Sequence, residues 1–160
     1  MEGIVGTYIL PCLWAFLACM GFGLVFNIRG FGLLICGLGA GLGWLVYLVA
    51  MAQGTGDIAA AFVAAIAIGA YSEIMARVRR CPVTGYLQVA LLPLVPGAGI
   101  YYTGYHFFMS DNAQALDKGL ETIKIAVAIA LGIGIVLSLP QFFFTLKRKA
   151  KACGKEEHHA

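Results

Sequence analysis

The chain has 160 residues, of which 61% are hydrophobic and 12% charged, with a formal net charge of +3 and a mean hydropathy of +0.86. That composition excludes an ordinary water-soluble domain, which needs a polar shell around its core. The apolar residues fall in blocks of roughly 19 to 25, the length that crosses a hydrocarbon core of about 30 Å, and none alternates in polarity as the strands of a membrane barrel would.

The blocks predict an all-α polytopic membrane protein of about five spans: Tyr8 to Phe26, Phe31 to Ala52, Ile58 to Ala76, Thr84 to Phe108 and Ile125 to Phe144. Residues 1–146 form a single transmembrane domain in this reading, and 147–160 a basic, disordered tail. Glu2 stands where a secretory signal would carry basic residues, and the first block is long enough to span, so no cleaved leader is expected. The first span ends at Asn27, a polar residue at membrane depth and so a candidate for coupling or gating.

In the second span, Gly37 and Gly41, and Gly39 and Gly43, are spaced four apart. These glycines are not a dinucleotide loop, which needs a strand before it and a helix after it. They predict a helix buried among neighbours, where small residues let backbones approach closely, and Gly41→Leu is expected to disrupt assembly. The third span opens with Asp57, read as a helix cap, and ends with Ser72, Glu73 and Arg77. Glu73 and Arg77, four apart, suit a local ion pair at the interface, and a substrate or proton role stays open beside it.

The fourth span is the informative one, because Pro93, Pro96, Gly97 and Gly99 lie within it. Proline lacks an amide donor and clashes with the preceding turn, and glycine is conformationally free, so the helix is expected to break near its middle. Non-helical backbone in lipid is tolerated where protein or a watery cavity covers it, which makes the break a candidate translocation site, with a plain structural kink as the alternative. A second half-helix starting near Pro96 would present the amides of Gly97, Ala98 and Gly99 to a carboxylate. Tyr101 and Tyr102 follow with hydroxyls. His106 could titrate, or belong to an aromatic belt with Tyr105 and Phe107. Gln88 is a further polar residue in this span.

Basic residues stay cytoplasmic, and they sort to alternate loops: Arg29; Arg77, Arg79 and Arg80; then Lys147, Arg148, Lys149, Lys151 and Lys155. Gln53 to Asp57 has none, and the turn from Ser110 to Glu121 carries Asp111, Asp117 and a single lysine, Lys118. Five spans then put the N-terminus outside and the C-terminus in the cytoplasm of a bacterial inner membrane. The five cysteines, Cys12, Cys19, Cys36, Cys81 and Cys153, form no C-x-x-C pair, and neither a disulfide framework nor a zinc site is expected. His158 and His159 are too few for a metal, and no cofactor is implied. The basic residues flank span ends and do not line one face, which argues against nucleic acid and for contact with membrane lipid. No nucleophile with a base and no pair of carboxylates at catalytic spacing points to an enzyme.

Three stretches together resemble the threonine/serine exporters, and specifically the small membrane unit that forms their C-terminal half or a separate subunit. They are Gly21, Phe22, Phe26 and Asn27; Glu73-Ile-Met-Ala-Arg77 followed by Pro82; and Pro93-x-x-Pro96-Gly97-x-x-x-Tyr101. Where relatives place a proline two residues after the asparagine, Arg29 stands here. The resemblance implies a proton-driven secondary exporter of threonine and serine, or of small dicarboxylates such as succinate. It also implies a partner, a second membrane subunit with about five spans and a cytoplasmic hydrolase-like domain, related to this chain as one half of an inverted repeat. The other readings are a homo-oligomeric channel and a scaffold subunit that transports nothing.

Overall fold

In the computed structural model, residues 5–80 and 82–156 are described, with side chains from 6 to 138. Cys81, the side chains of the basic tail with Cys153, and His158 and His159 lie outside the described residues. A π-helical turn, Val5–Ile9, leads into α1 (Leu10–Val25), and α2 (Phe31–Ala52) and α3 (Asp57–Arg79) follow. The fourth apolar block is two helices, α4 (Val83–Ala90) and α5 (Gly97–Phe108), joined through a 3-10 turn at Leu92–Leu94; α6 (Asn112–Glu156) is the last element. Among the described residues, four stretches are long and apolar enough to cross a membrane: Gly6–Val25, α2, α3 and Asn112–Ser138. The α4–α5 pair, bent by 40°, makes a fifth if it counts as one span.

The connections are tight because backbone motifs close each helix. Asn27, at φ 59°, ends α1 in the left-handed conformation; its N–H bonds the Leu24 carbonyl at 3.0 Å and that of Ile28 bonds Gly23 at 2.9 Å, the paired bonds of a Schellman ending. Asn27 thus has a structural task, since asparagine tolerates the left-handed region better than most residues. Ser110, φ 62°, ends α5 in the same way, with Ser110 N–H on Phe107 and Asp111 N–H on His106. Asp111 then starts α6 at once, its Oδ1 accepting the Gln114 amide at 3.3 Å. Hence residues 112–121, expected as a turn, are helical, and α6 begins well before Ile125. The expected tail begins within this helix.

Small residues set the packing. α1 lies antiparallel to α2, with Gly37 against Phe16 and Gly23 against Leu33. α2 packs on α3, where a Cβ at Gly43 would overlap Ile68 and one at Gly39 would meet Tyr71. α3 buries Ala60, Ala61, Ala64, Ala65, Ile68, Gly69, Ser72 and Ala76. Its far side runs parallel to α6, with Gly69 against Val136 and Gly132 against Ala65 and the Phe62 carbonyl. Such contacts bring backbones together where lipid supplies no hydrophobic drive. α4 fits against both α2 and α3, whereas α5 packs mainly along α6 and buries none of its own residues.

Arg29, Arg77, Arg79 and Arg80 gather at one end of the bundle, where the Arg79 guanidinium lies 5.6 Å from the Phe31 ring centre. Gln53, Gly54 and Asp57 lie at the other end.

Candidate functional site

Pro93 cannot donate to the carbonyl four residues upstream, that of Val89. The Cys19 thiol of α1 donates to it instead, Sγ to O 3.3 Å. The chain then tightens: Leu94 N–H bonds Leu91 at 2.9 Å and Val95 N–H bonds Leu92 at 3.3 Å. Pro96, at φ −75° and ψ 59°, is the centre of an inverse γ-turn in which Gly97 N–H donates to Val95 O at 2.7 Å. One of the three amides expected to be open is therefore used, because the γ-turn aims it at the backbone. Ala98 and Gly99, next in α5, have neither an upstream carbonyl nor a capping side chain, and their N–H groups stand at the positive end of the helix.

A cavity of about 450 Å³ lies against this turn. Residues 93 to 99 and Tyr102 form one side, Trp44 and Tyr47 of α2 with Asp57 and Ala61 of α3 a second, and Lys118, Glu121, Thr122 and Ile125 of α6 the third. Asp57 and Ala61 belong to the first turns of α3, so the break lies toward the end opposite the arginines, not midway along its neighbours. The reason is that α4 climbs most of α2 before Pro93 interrupts it: Tyr86 lies by Gly32 and Ala90 by Gly39.

The walls are polar in a specific way. Tyr47, stacked on Trp44 with ring centres 5.3 Å apart, donates its hydroxyl to Asp57 Oδ1 at 3.4 Å. Asp57 makes this contact in place of the side-chain cap expected of it, and Gly56 takes the capping position. Lys118 Nζ and Glu121 Oε2 are 3.0 Å apart, both about half-exposed, so solvent screens the pair. Thr122 donates to the Lys118 carbonyl at 2.6 Å, and its side chain occupies the place a Cβ on Gly99 would need. Gly99 therefore serves close packing of α5 on α6. Gly97 faces open space, with nothing within 4 Å of its missing Cβ.

Of the residues singled out in the sequence, the cavity unites Pro93, Pro96, Gly97, Ala98, Gly99 and Tyr102. Tyr101 is outside it, 66% exposed and ringed by Tyr102 and Tyr105. His106 packs edge-on against Tyr105, centres 5.5 Å apart, in the aromatic surroundings of α5. Glu73 and Arg77 pair at 3.3 Å, far along α3 from Asp57, and Asn27 ends α1 at the arginine end. Ser72 is fully buried, its hydroxyl without a partner, and Gln88 is exposed on α4. Trp44, Tyr47, Lys118, Glu121 and Thr122 carried no sequence signal as a group, since two helices far apart in sequence supply them. Among the described residues no cluster of three His, Cys, Asp or Glu is placed to hold a metal.

On its other side the break borders a second cavity, apolar and about 690 Å³, walled by Pro11, Trp14, Ala15, Ala18 and Phe22 of α1. Trp44, Pro93, Val95 and Gly97 line both cavities and form the partition between them. The Trp44 indole nitrogen is buried without a partner.

Comparison with known proteins adds the context for this geometry. Neither a curated protein nor a solved structure matches the chain. The family described as "Threonine/Serine exporter, ThrE" matches residues 11–139, from the first turn of α1 through the apolar length of α6. The chain, a multi-pass arrangement of apolar helices with a cavity at a helix break, belongs to the threonine/serine exporter family.

Proposed function

We propose that this chain is the membrane subunit of a secondary exporter for small amino acids (threonine and serine) or small dicarboxylates such as succinate, and that substrate binds in the cavity at the break of the α4–α5 pair. The observation that carries this reading is the conjunction there of two unpaired helix-start amides, Ala98 and Gly99, with charged and hydroxyl-bearing side chains from α2, α3 and α6. A substrate carboxylate suits those amides, and the Trp44 indole N–H is a further donor on the partition. Pro93, Pro96 and Gly97 shape the wall and Tyr102 closes it. Tyr101, beside Tyr102 on α5, supplies a further hydroxyl for the substrate, and His106 of α5, with Asn27, Glu73 and Arg77 at the arginine end, acts in gating or proton coupling. Catalysis is not part of this reading.

The orientation proposed is N-terminus outside and C-terminus in the cytoplasm of a bacterial inner membrane. It rests on the gathering of Arg29, Arg77, Arg79 and Arg80 at one end and on the parallel course of α3 and α6, which returns the chain to that end. We further propose a second membrane subunit of about five spans with a cytoplasmic hydrolase-like domain, the other half of an inverted repeat. α5 supports a partner, because it buries no residue within this chain and exposes Tyr101, Tyr105, Phe107 and Phe108.

The test is efflux of labelled serine, threonine and succinate from cells with and without this chain, in the presence of its native genomic neighbours. Saturable efflux that requires the chain is expected. Non-saturating conductance would favour a homo-oligomeric channel, and unchanged efflux from the deletion would leave the chain a scaffold.

A further inference from the structure

The charges around the cavity do not balance. Lys118 and Glu121 neutralise each other at 3.0 Å on α6, whereas Asp57, on the facing helix α3, has no cation within ion-pair distance among the described residues. Its contact is the Tyr47 hydroxyl, at 3.4 Å. That hydroxyl is itself positioned, since the Tyr47 ring stacks on Trp44 in the cavity wall. Asp57 also needs no side-chain role in starting α3, where Gly56 holds the capping position. The cavity thus offers, from α3, a carboxylate with no cation at ion-pair distance among the described residues and, from α5, the unpaired amides of Ala98 and Gly99.

Resting on the reading of this cavity as the substrate site, we infer that Asp57, oriented by Tyr47, is the specificity-determining residue that selects a substrate bearing an ammonium group and rejects a dicarboxylate. A zwitterion sets its ammonium against Asp57 and its carboxylate toward Ala98 and Gly99. A dicarboxylate of similar length sets its second carboxylate against Asp57, adding a like charge to a cavity whose three ionised side chains already sum to one negative charge. Opposed charges of this kind discriminate partners more by the penalty on the wrong one than by the gain on the right one. Lys118 offsets the charge of Glu121, its hydrogen-bond partner at 3.0 Å, and so leaves the sum at one negative charge.

The experiment is competition against labelled serine efflux in cells carrying the chain at its native locus. The competitors are unlabelled serine; glycerate, which replaces the ammonium with a hydroxyl; ethanolamine, which lacks the carboxylate; and succinate. In the unaltered protein, glycerate and succinate are expected to compete on the order of tenfold to a hundredfold more weakly than serine. Asp57→Asn should bring serine down to the level of glycerate while leaving glycerate itself unchanged, and Asp57→Glu should keep the preference. A structural defect would instead weaken all competitors alike. The inference is overturned if Asp57→Asn keeps the preference for serine over glycerate, or weakens every competitor equally. Should the variant fail to assemble, the unaltered protein still decides: glycerate or succinate competing as well as serine overturns it. Efflux of succinate but not serine would sink the role of Asp57 and leave the exporter reading intact, whereas efflux of neither would sink both.

Discussion

Cys19 illustrates how one side chain sustains an irregular backbone. Pro93 leaves the Val89 carbonyl without its helical donor, and inside a membrane an orphan carbonyl has no water to turn to. The buried Cys19 thiol meets it at 3.3 Å. Cys19→Ala should lower stability by about 1 to 2 kcal/mol, and Cys19→Ser, which restores a hydroxyl donor, should recover most of it; thermal unfolding of the purified protein in detergent reads both. The α2 glycines divide in a way their spacing does not reveal. A Cβ at Gly43 would overlap buried Ile68, while one at Gly41 would meet the Cys12 carbonyl at an ordinary 3.5 Å. Gly43→Ala is therefore expected to cost about 1 to 3 kcal/mol, and Gly41→Ala less than half of that in the same measurement. The emphasis on Gly41 that the four-residue spacing suggests moves to Gly43, because only the neighbouring helix decides which glycine is touched.

At the scale of elements, the broken α4–α5 pair separates two jobs that sequence lumps together. Pro93 and Pro96 spend backbone donors, and the γ-turn spends a third at Gly97, so Ala98 and Gly99 alone open α5 without partners. Gly97 and Gly99, two residues apart, face opposite demands: open space at the first, the Thr122 side chain at the second. Gly97→Leu should leave the fold intact, since nothing stands in its way, yet intrude on the partition between the two cavities and reduce serine efflux at least tenfold with unchanged protein in the membrane. Gly99→Leu should instead separate α5 from α6 and lower the amount of protein recovered. Equal loss of protein in both variants would contradict this division.

For the whole molecule, the parallel course of α3 and α6 means that residues 112–121 and most of α5 extend past the start of α3 as a hairpin. Its large apolar side chains Phe107, Phe108, Leu116 and Leu120 are exposed, while Ala115 is buried. The arginines at the far end set the expected orientation. Reporter fusions test it: a reporter active only in the cytoplasm should work when joined after residue 146, and one active only outside should work when inserted at Gly54. The reverse pattern would overturn this orientation and place the cavity toward the cytoplasmic end of the bundle.

Apolar length, the positions of basic residues and the proline pair were sufficient for the membrane class, the near-five span count and the interruption in the fourth block, because each depends on local composition and on the cost of bare backbone in lipid. The left-handed endings at Asn27 and Ser110, the second of which lets α6 start at Asn112, well before its apolar run at Ile125, rest on polar residues whose capping role depends on the turn they close. Tertiary structure alone decided the company the break keeps. Asp57, Tyr47, Lys118, Glu121 and Thr122 come from three helices spread over 76 positions of the chain, and only the close approach of α3 to α2 and α6 at small residues gathers them around Ala98 and Gly99.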